Sequence, residues 1–408
     1  MKDRNKGKKG DNKFILYENL DKIGEVALYY GFTPCKSPTI AKSDQEAVKD
    51  ILESDHIDDE TDSHDKLLLH AEEKIAYVRL YNEENMHVLP QPVLLYFKDS
   101  CRGSNAHHYA DLEILGPSGP IAEAILIQTT RAMLSEEGYE GTSVEINSIG
   151  DRDSLTRFTR ELTTYYRKKI NEMSPSCREL LKKDPFELLA CRDKDCLEIN
   201  EKAPRTLDFL TENARRHLEE TLEYLEALEI PYIVNNSLIG NRKYCAETIF
   251  TIVDGERSSK NRRILAYGMR YNNLAKRLAM KRDIQGIGIS LLIKNRKKGL
   301  RESIKKSKRP IASFVQLGLQ SKLLSLSIIE NLRKNKIPLQ ISLAKDRLGA
   351  QVSSVEKFHT PYVIVMGKKE AVERTVIIRR NDTHSQEVIP LDDLPKYMKK
   401  IEEQAYKK

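Results

Sequence analysis

No apolar run in the 408-residue chain approaches the roughly 18 residues needed to cross a bilayer, so no membrane-spanning helix is expected. The start, Met1–Lys13, is basic and lacks the apolar stretch of a secretory signal. It is expected to be a disordered tail, with an RNA-contacting arm as the alternative. Cysteines are few and scattered, at 35, 101, 177, 191, 196 and 245. Only Cys191 and Cys196 lie close, and a lone C-x4-C lacks the second pair that would complete a tetrahedral zinc site. No metal is expected; reduced, unliganded thiols fit a cytoplasmic protein. The acidic segment 53–65 lacks the glycine and ligand register of a calcium loop and reads as a solvated loop. A large charge excess is also missing. Lys and Arg number 68 against 61 Asp and Glu, a balance of +7 that permits a nucleic-acid partner only if the charge is clustered. No internal repeat is visible, so a repeat architecture is not expected.

What is present is a chain long enough for two or three domains, with 39% hydrophobic residues to build their cores. Residues 141–151, Gly-Thr-Ser-Val-Glu-Ile-Asn-Ser-Ile-Gly-Asp, read as a strand that stops at Gly150. Asp151 or Asp153 then caps an amphipathic helix carrying Leu155, Phe158, Leu162 and Tyr165 on one stripe. Apolar spacing predicts a helix over 14–31, an extended piece over 33–40, and a strand, helix and strand within 66–98. Further strands are expected at 111–115, 231–234, 248–253, 264–267 and 284–292. Further helices are expected at 121–137, 153–172 and 206–229, the last two flanking a polar stretch. Residues 294–309 hold nine basic residues and one acidic, followed by Pro310. They read either as a solvated basic linker or as a phosphate-contacting segment, since clustered Lys and Arg release counterions on binding RNA. From Ile311 onward strands alternate with helices, implying a small, mostly parallel α/β domain closed by a hairpin-like pair at 375–390.

Several segments, in order, resemble the histidyl-tRNA synthetase family of class II aminoacyl-tRNA synthetases. Tyr30-Gly31-Phe32 through Ser37-Pro38 is similar to motif 1. Glu113-Ile114-Leu115-Gly116 resembles the strand after motif 2, and Ile146-Asn147-Ser148-Ile149-Gly150 is a near-identity. Ala203-Pro204-Arg205 with Asp208-Phe209-Leu210 resembles the end of the family's insertion. Leu238-Ile239, Tyr244 and Thr248-Ile249-Phe250 resemble the histidine-recognition segment. Tyr362–Gly367, Arg374-Thr375-Val376 and Leu391–Leu394 resemble the anticodon-binding domain. The resemblance implies an α+β fold. A tail (1–13) precedes an antiparallel-sheet catalytic-type domain (14–293) with a helical insertion near 165–225. A basic linker (294–310) then leads to an anticodon-binding-type α/β domain (311–408). It also implies a homodimer.

The family's chemistry residues do not follow. Amino-acid activation brings a carboxylate onto the α-phosphate of ATP, so fixed positive charge and positioning are the enzyme's task. Arginine forks normally supply that charge. The motif 2 Arg-x-Glu pair is missing after Tyr96-Phe97-Lys98-Asp99-Ser100-Cys101, and motif 3 runs Gly286-Ile287-Gly288-Ile289-Ser290-Leu291 into Leu292-Ile293-Lys294-Asn295 without its Glu-Arg. The Arg-Gly-Leu-Asp-Tyr-Tyr segment reads Gly240-Asn241-Arg242-Lys243-Tyr244-Cys245, which puts Gly240 at the catalytic arginine's position. Gly-Gly-Arg-Tyr-Asp survives as Gly268-Met269-Arg270-Tyr271-Asn272. The Arg-Pro-Glu-Gly-Thr segment, which faces the amino-acid amine in the family, is reduced to His70-Ala71-Glu72-Glu73-Lys74. Losing one such donor typically costs about 3–4 kcal/mol, and three are gone. Arg79, Arg102, Arg242 and Arg296 are the candidate substitutes.

The expectation is therefore a catalytically inactive, synthetase-like protein with a tRNA-binding, other RNA-binding or regulatory role, needing no cofactor. Its remnant pocket would comprise Glu72, Arg242, Tyr244, Gly268, Arg270 and Tyr271, and its RNA-binding candidates are Lys297, Lys298, Arg301, Lys305 and Lys306. One alternative is an active histidine–tRNA ligase with a rearranged pocket, using ATP and magnesium. Another is a regulatory subunit acting on a protein partner, ATP phosphoribosyltransferase.

Overall fold

The computed structural model describes residues 20–52, 71–98, 107–117, 119–191, 193–240, 242, 244–255, 262–278, 280, 282–294, 310–341, 351, 355 and 359–406. The expected basic tail, the start of the 66–98 stretch, the acidic segment and most of the basic linker lie outside these residues, as do all five RNA-binding candidates.

Eight strands form the larger sheet: β1 Thr33–Cys35, β2 Val93–Phe97, β3 His107–Leu115, β4 Ser143–Gly150, β5 Tyr232–Val234, β6 Ala246–Asp254, β7 Arg263–Arg270 and β8 Gly286–Lys294. Their order is β1-β2-β3-β8-β7-β6-β4-β5. The six central strands pair antiparallel, and only the two short outer strands pair parallel. Helices α1 (Lys22–Tyr29), α2 (Lys42–Leu52) and α3 (Ala71–Glu83) precede β2, and α4 (Ile121–Glu136) links β3 to β4. Between β4 and β5 come α5 (Arg152–Lys168), α6 (Pro175–Lys183), α7 (Glu187–Ala190), α8 (Lys194–Asn200) and α9 (Glu212–Ala227). The short α10 (Leu274–Arg277) precedes β8.

Strand alternation divides this sheet between two cores. On β3, Leu112 and Ile114 join α1, α4 and α9 in one cluster. Leu115 on the opposite side joins α3 and helices α5–α8 in the other. The polar stretch expected between two long helices folds as three short ones, because Ser174 and Asp193 each cap one with a side-chain oxygen. The strand 141–151 ends as its residues suggested. Gly150 takes φ +69°, and a Cβ there would overlap Ser154. Asp151 is the residue that caps α5, accepting from the Ser154 amide at 2.9 Å. It also accepts from the Thr211 hydroxyl at 2.6 Å, which joins the starts of α5 and α9. Asn147 donates to Leu238 O and accepts from the Thr206 hydroxyl, both at 3.0 Å. This segment thus holds residues 206–211 and the 238–240 loop against the sheet.

The second sheet comprises β9 Ala312–Gln316, β10 Leu339–Ile341, β11 Tyr362–Met366, β12 Thr375–Arg380 and β13 Gln386–Pro390, ordered β10-β9-β11-β12-β13. Helices α11 (Leu319–Lys334), α12 (Lys368–Glu373) and α13 (Leu394–Tyr406) cover it. It is mixed rather than mostly parallel: two pairs are parallel and two antiparallel. The reason is reach, since α12 is one short turn of helix and a parallel crossover needs a dozen or more residues. The two sheets are bridged directly. Gln128 on α4 donates to Leu326 O on α11 at 3.3 Å, and the Tyr30 hydroxyl donates to Glu330.

Candidate functional site

One buried polar arrangement on the large sheet lies under α3. Period-two alternation puts Asp111 and Glu113 on the same face of β3, turned toward that helix. The register sets Ser290 opposite Asp111 and Gly288 opposite Glu113. Ser290 donates its hydroxyl to Asp111. Gly288 leaves room for the Glu113 carboxylate, which any Cβ at that position would overlap. Lys74 reaches down from α3, ion-paired to Glu113 and 3.9 Å from Asp111. Tyr77, one turn on, donates to Asp111 Oδ2 at 2.8 Å, and Tyr271 donates to Glu113. Lys74 is only 3% exposed and both carboxylates are fully buried.

Burial is the largest single influence on Glu113, Lys74 and Tyr271, though at Lys74 its neighbours outweigh it. It raises the Glu113 carboxyl above its usual range, with Lys74 pulling back and Asp111 adding to the rise. Burial would also lower the Lys74 ammonium, but Glu113 and Asp111 outweigh it and raise its pKa. The Tyr271 hydroxyl is pushed well up by burial and by Glu113, so it remains a donor. The cluster thus sets the Lys74 ammonium between two acidic side chains inside an apolar surround. Phe97, at the end of β2, stacks on Tyr77 with ring centroids 4.3 Å apart.

The six residues of the expected remnant pocket do not gather in one place. Tyr271 belongs to the Lys74 cluster, and Glu72 opens α3, half-buried. Tyr244 is buried in the same apolar cluster as Tyr271. Arg270 faces the opposite side of the sheet. It forms a two-pronged pair with Glu123 on α4 (3.0 and 2.7 Å), with Glu247 at 3.3 Å and Gly119 O at 3.3 Å. His217 on α9 completes that group, 2.7 Å from Glu123. Burial would raise the Glu123 carboxyl, but Arg270 and then His217 overrule it and hold it at about 2. Gly268 admits the Phe250 ring, which a Cβ would overlap. Arg242 lies 3.8 Å over the Phe186 ring and pairs with Asp184, both in the insertion.

The arginines considered as substitutes are similarly engaged. Arg79 makes a two-pronged pair with Asp44 on α2 (2.9 and 2.8 Å) and donates to Thr39 O at 2.9 Å. Arg102 and Arg296 lie outside the described residues. Gly240 adopts φ +63°, and a Cβ there would overlap Ile249 and stand 3.0 Å from the buried Tyr267 hydroxyl. Sequence reasoning missed the Lys74–Asp111–Glu113 group. Its signal was the period-two spacing of two carboxylates in a strand, beside a lysine closing the degenerate 70–74 segment.

Residues 320–401 match the anticodon binding domain family. The chain is 24% identical over 406 residues to the histidine–tRNA ligase of Desulforamulus reducens, covering 95% of each. It is 26% identical over 340 residues to that of Desulfitobacterium hafniense, covering 80% of this chain and 79% of the relative. The chain is a histidyl-tRNA synthetase-like class II protein. A solved apo histidyl-tRNA synthetase from S. aureus covers 79% of this synthetase-like chain and 81% of its own length, at 24% identity and a TM-score of 0.42. The matched residues 320–401 take in nearly all of α11, all of α12 and β10–β13 and most of α13, and the helices between β4 and β5 interrupt the larger sheet.

Proposed function

We propose that this synthetase-like chain does not activate histidine and acts instead by binding tRNA or a similarly structured RNA through its anticodon-binding domain. One observation carries the reading. In the family, the segment corresponding to His70–Lys74 faces the amine of the amino-acid substrate. Here that segment supplies its own ammonium, Lys74, buried against Glu113 and Asp111. A second amine would have to expel a cation already paired in a dry site, and breaking such a pair costs about 3–5 kcal/mol. The arginines that would grip a triphosphate find no replacement in Arg79 or Arg242, whose guanidiniums are committed to Asp44 and Asp184. ATP and magnesium therefore have no part in this reading. The anticodon-binding domain favours an RNA role over that of a regulatory subunit. A homodimer in the cytoplasm, with the basic segment 294–310 tethering the two domains, completes the proposal.

Histidine-dependent ATP–pyrophosphate exchange tests it. The expected result is exchange indistinguishable from a no-enzyme control, alongside a gel shift with total tRNA. Robust exchange that requires histidine would overturn the proposal.

A further inference from the structure

Three of the cysteines come together in the insertion, independently of the cluster under α3. Cys177 lies in the first turn of α6, Cys191 just beyond α7, and Cys196 in the first turn of α8. Their sulfurs all lie within 4.8 Å of one another. Those of Cys177 and Cys191 are 3.7 Å apart, and those of Cys177 and Cys196 are in contact. Cys177 and Cys196 are fully buried, with Met173, Phe186, Leu188 and Ile199 in the same apolar cluster.

We propose that these three thiols form a zinc site. Sulfurs bound to one tetrahedral zinc at about 2.3 Å sit roughly 3.8 Å from each other, close to the Cys177–Cys191 separation, while the Cys177 and Cys196 sulfurs are closer than that and would part on binding. A disulfide between Cys177 and Cys196 fits the backbone less well. Their Cα atoms are 7.1 Å apart, beyond the roughly 4.4–6.8 Å that a disulfide spans. A disulfide would also leave Cys191 without a role. Among the described residues no fourth Cys, His, Asp or Glu joins the group, so water or a donor from outside takes the fourth position.

The local fold supplies the reason for a staple. Helices α6, α7 and α8 have 9, 4 and 7 residues. Helices this short are not stable alone, and a segment this small builds little core. One ion drawing a sulfur from the vicinity of each helix ties all three at a single point. The sequence reading stopped at the Cys191–Cys196 pair because the third ligand lies on a separate helix, 14 residues upstream of Cys191. Binding is balanced by proton release: each thiol that ligates Zn²⁺ gives up its proton to buffer.

The test uses the full-length chain, purified under reducing conditions without chelator and assayed for metal content. One zinc per chain is expected, released by an organomercurial thiol reagent. Replacing it with Co²⁺ should give a thiolate-to-cobalt charge-transfer band. Cys191→Ser, at the half-exposed position, should abolish stoichiometric binding while far-UV circular dichroism stays unchanged. Cys245→Ser should keep the full equivalent. If Cys191→Ser misfolds, titrating the reduced wild-type chain with Zn²⁺ alone decides the matter. A reduced chain that takes up no zinc would overturn the site. So would a Cys191→Ser variant that binds it unchanged, or a Cys177–Cys196 disulfide recovered from chain held in a glutathione-reducing buffer.

Discussion

Replacing Lys74 by methionine removes the cation from a buried group that retains two carboxylates. The side chain is 3% exposed and its partners are fully buried, so solvent screening gives little relief. Removing one member of such a pair typically costs about 3–5 kcal/mol, or roughly 6–10 °C in melting temperature at about 2 °C per kcal/mol for a large domain. Methionine fills a similar volume, so the deficit reports charge rather than a cavity. The double variant Lys74→Met/Glu113→Gln neutralises both partners. It should recover about 2–3 kcal/mol relative to the sum of the single deficits. The pH dependence has a definite sign. Burial already raises the folded-state Glu113 pKa, and removing Lys74 raises it further. A raised carboxyl contributes stability in its protonated form, present at low pH and lost as pH climbs through the folded value. The Lys74→Met deficit should therefore be smaller near about pH 5 than near about pH 8. Urea unfolding followed by tyrosine fluorescence is suitable, since the chain has 18 tyrosines and no tryptophan to mask them. A Lys74→Met protein within about 1 kcal/mol of wild type at both pH values would refute this account of the cluster.

The group across the sheet titrates differently. His217 is buried, which would lower its pKa, but Glu123 raises it, so its stabilisation is full below about 6.5 and lost as pH rises through the folded value. His217→Gln should therefore cost more stability near about pH 6 than near about pH 9 in parallel melts. Glu123→Gln removes a contribution present at neutral pH and lost only as acid approaches about 2; its deficit at neutral pH should shrink below about pH 4. Gly240→Arg should not restore exchange and should destabilise by more than about 1 kcal/mol, because Ile249 and Tyr267 occupy the space and φ is positive. Melting and exchange assays on one preparation check both. Affinity for total tRNA should fall steeply with salt. Neutralising Lys297, Lys298, Lys305 and Lys306 together should flatten the log–log slope by up to about 0.7–0.9 for each phosphate that is no longer neutralised. An unchanged slope moves the RNA site elsewhere, α11 being the next surface to test.

What was legible in the sequence followed from local rules. Gly150 and Asp151 marked a strand end and a helix start because both act within one turn of the chain. Alternating apolar residues located β4, β6 and β8 to within about two residues. The misses came from long-range pairing. Strand–helix alternation, visible in sequence, predicts a mostly parallel C-terminal domain, whereas the short reach of the six-residue α12 becomes evident only when strands are placed. Family order along the chain groups Arg270 with Tyr271, whereas these sequence neighbours turn to opposite faces of the sheet. Lys74 was named only as the end of a degraded segment, and its two carboxylate partners lie 37 and 39 residues further on, on a strand.

Four cations among the described residues of the sheet domain are each paired with a carboxylate of the same chain. A site for ATP needs guanidiniums whose charge faces an open cleft, unpaired until the phosphates arrive. Here Lys74 holds Glu113, Arg270 holds Glu123 and Glu247, Arg79 holds Asp44, and Arg242 holds Asp184. Each would have to abandon a carboxylate before it could bind a phosphate, and the buried pairs resist that by several kcal/mol. Internal pairing also ties elements together: α3 to β3, α4 to β7, and α2 to α3. On the proposed reading, charge that a synthetase would aim at its substrate is directed into the chain's own framework. On the proposed reading, partner binding falls to the anticodon-binding domain, and this sheet serves as scaffold.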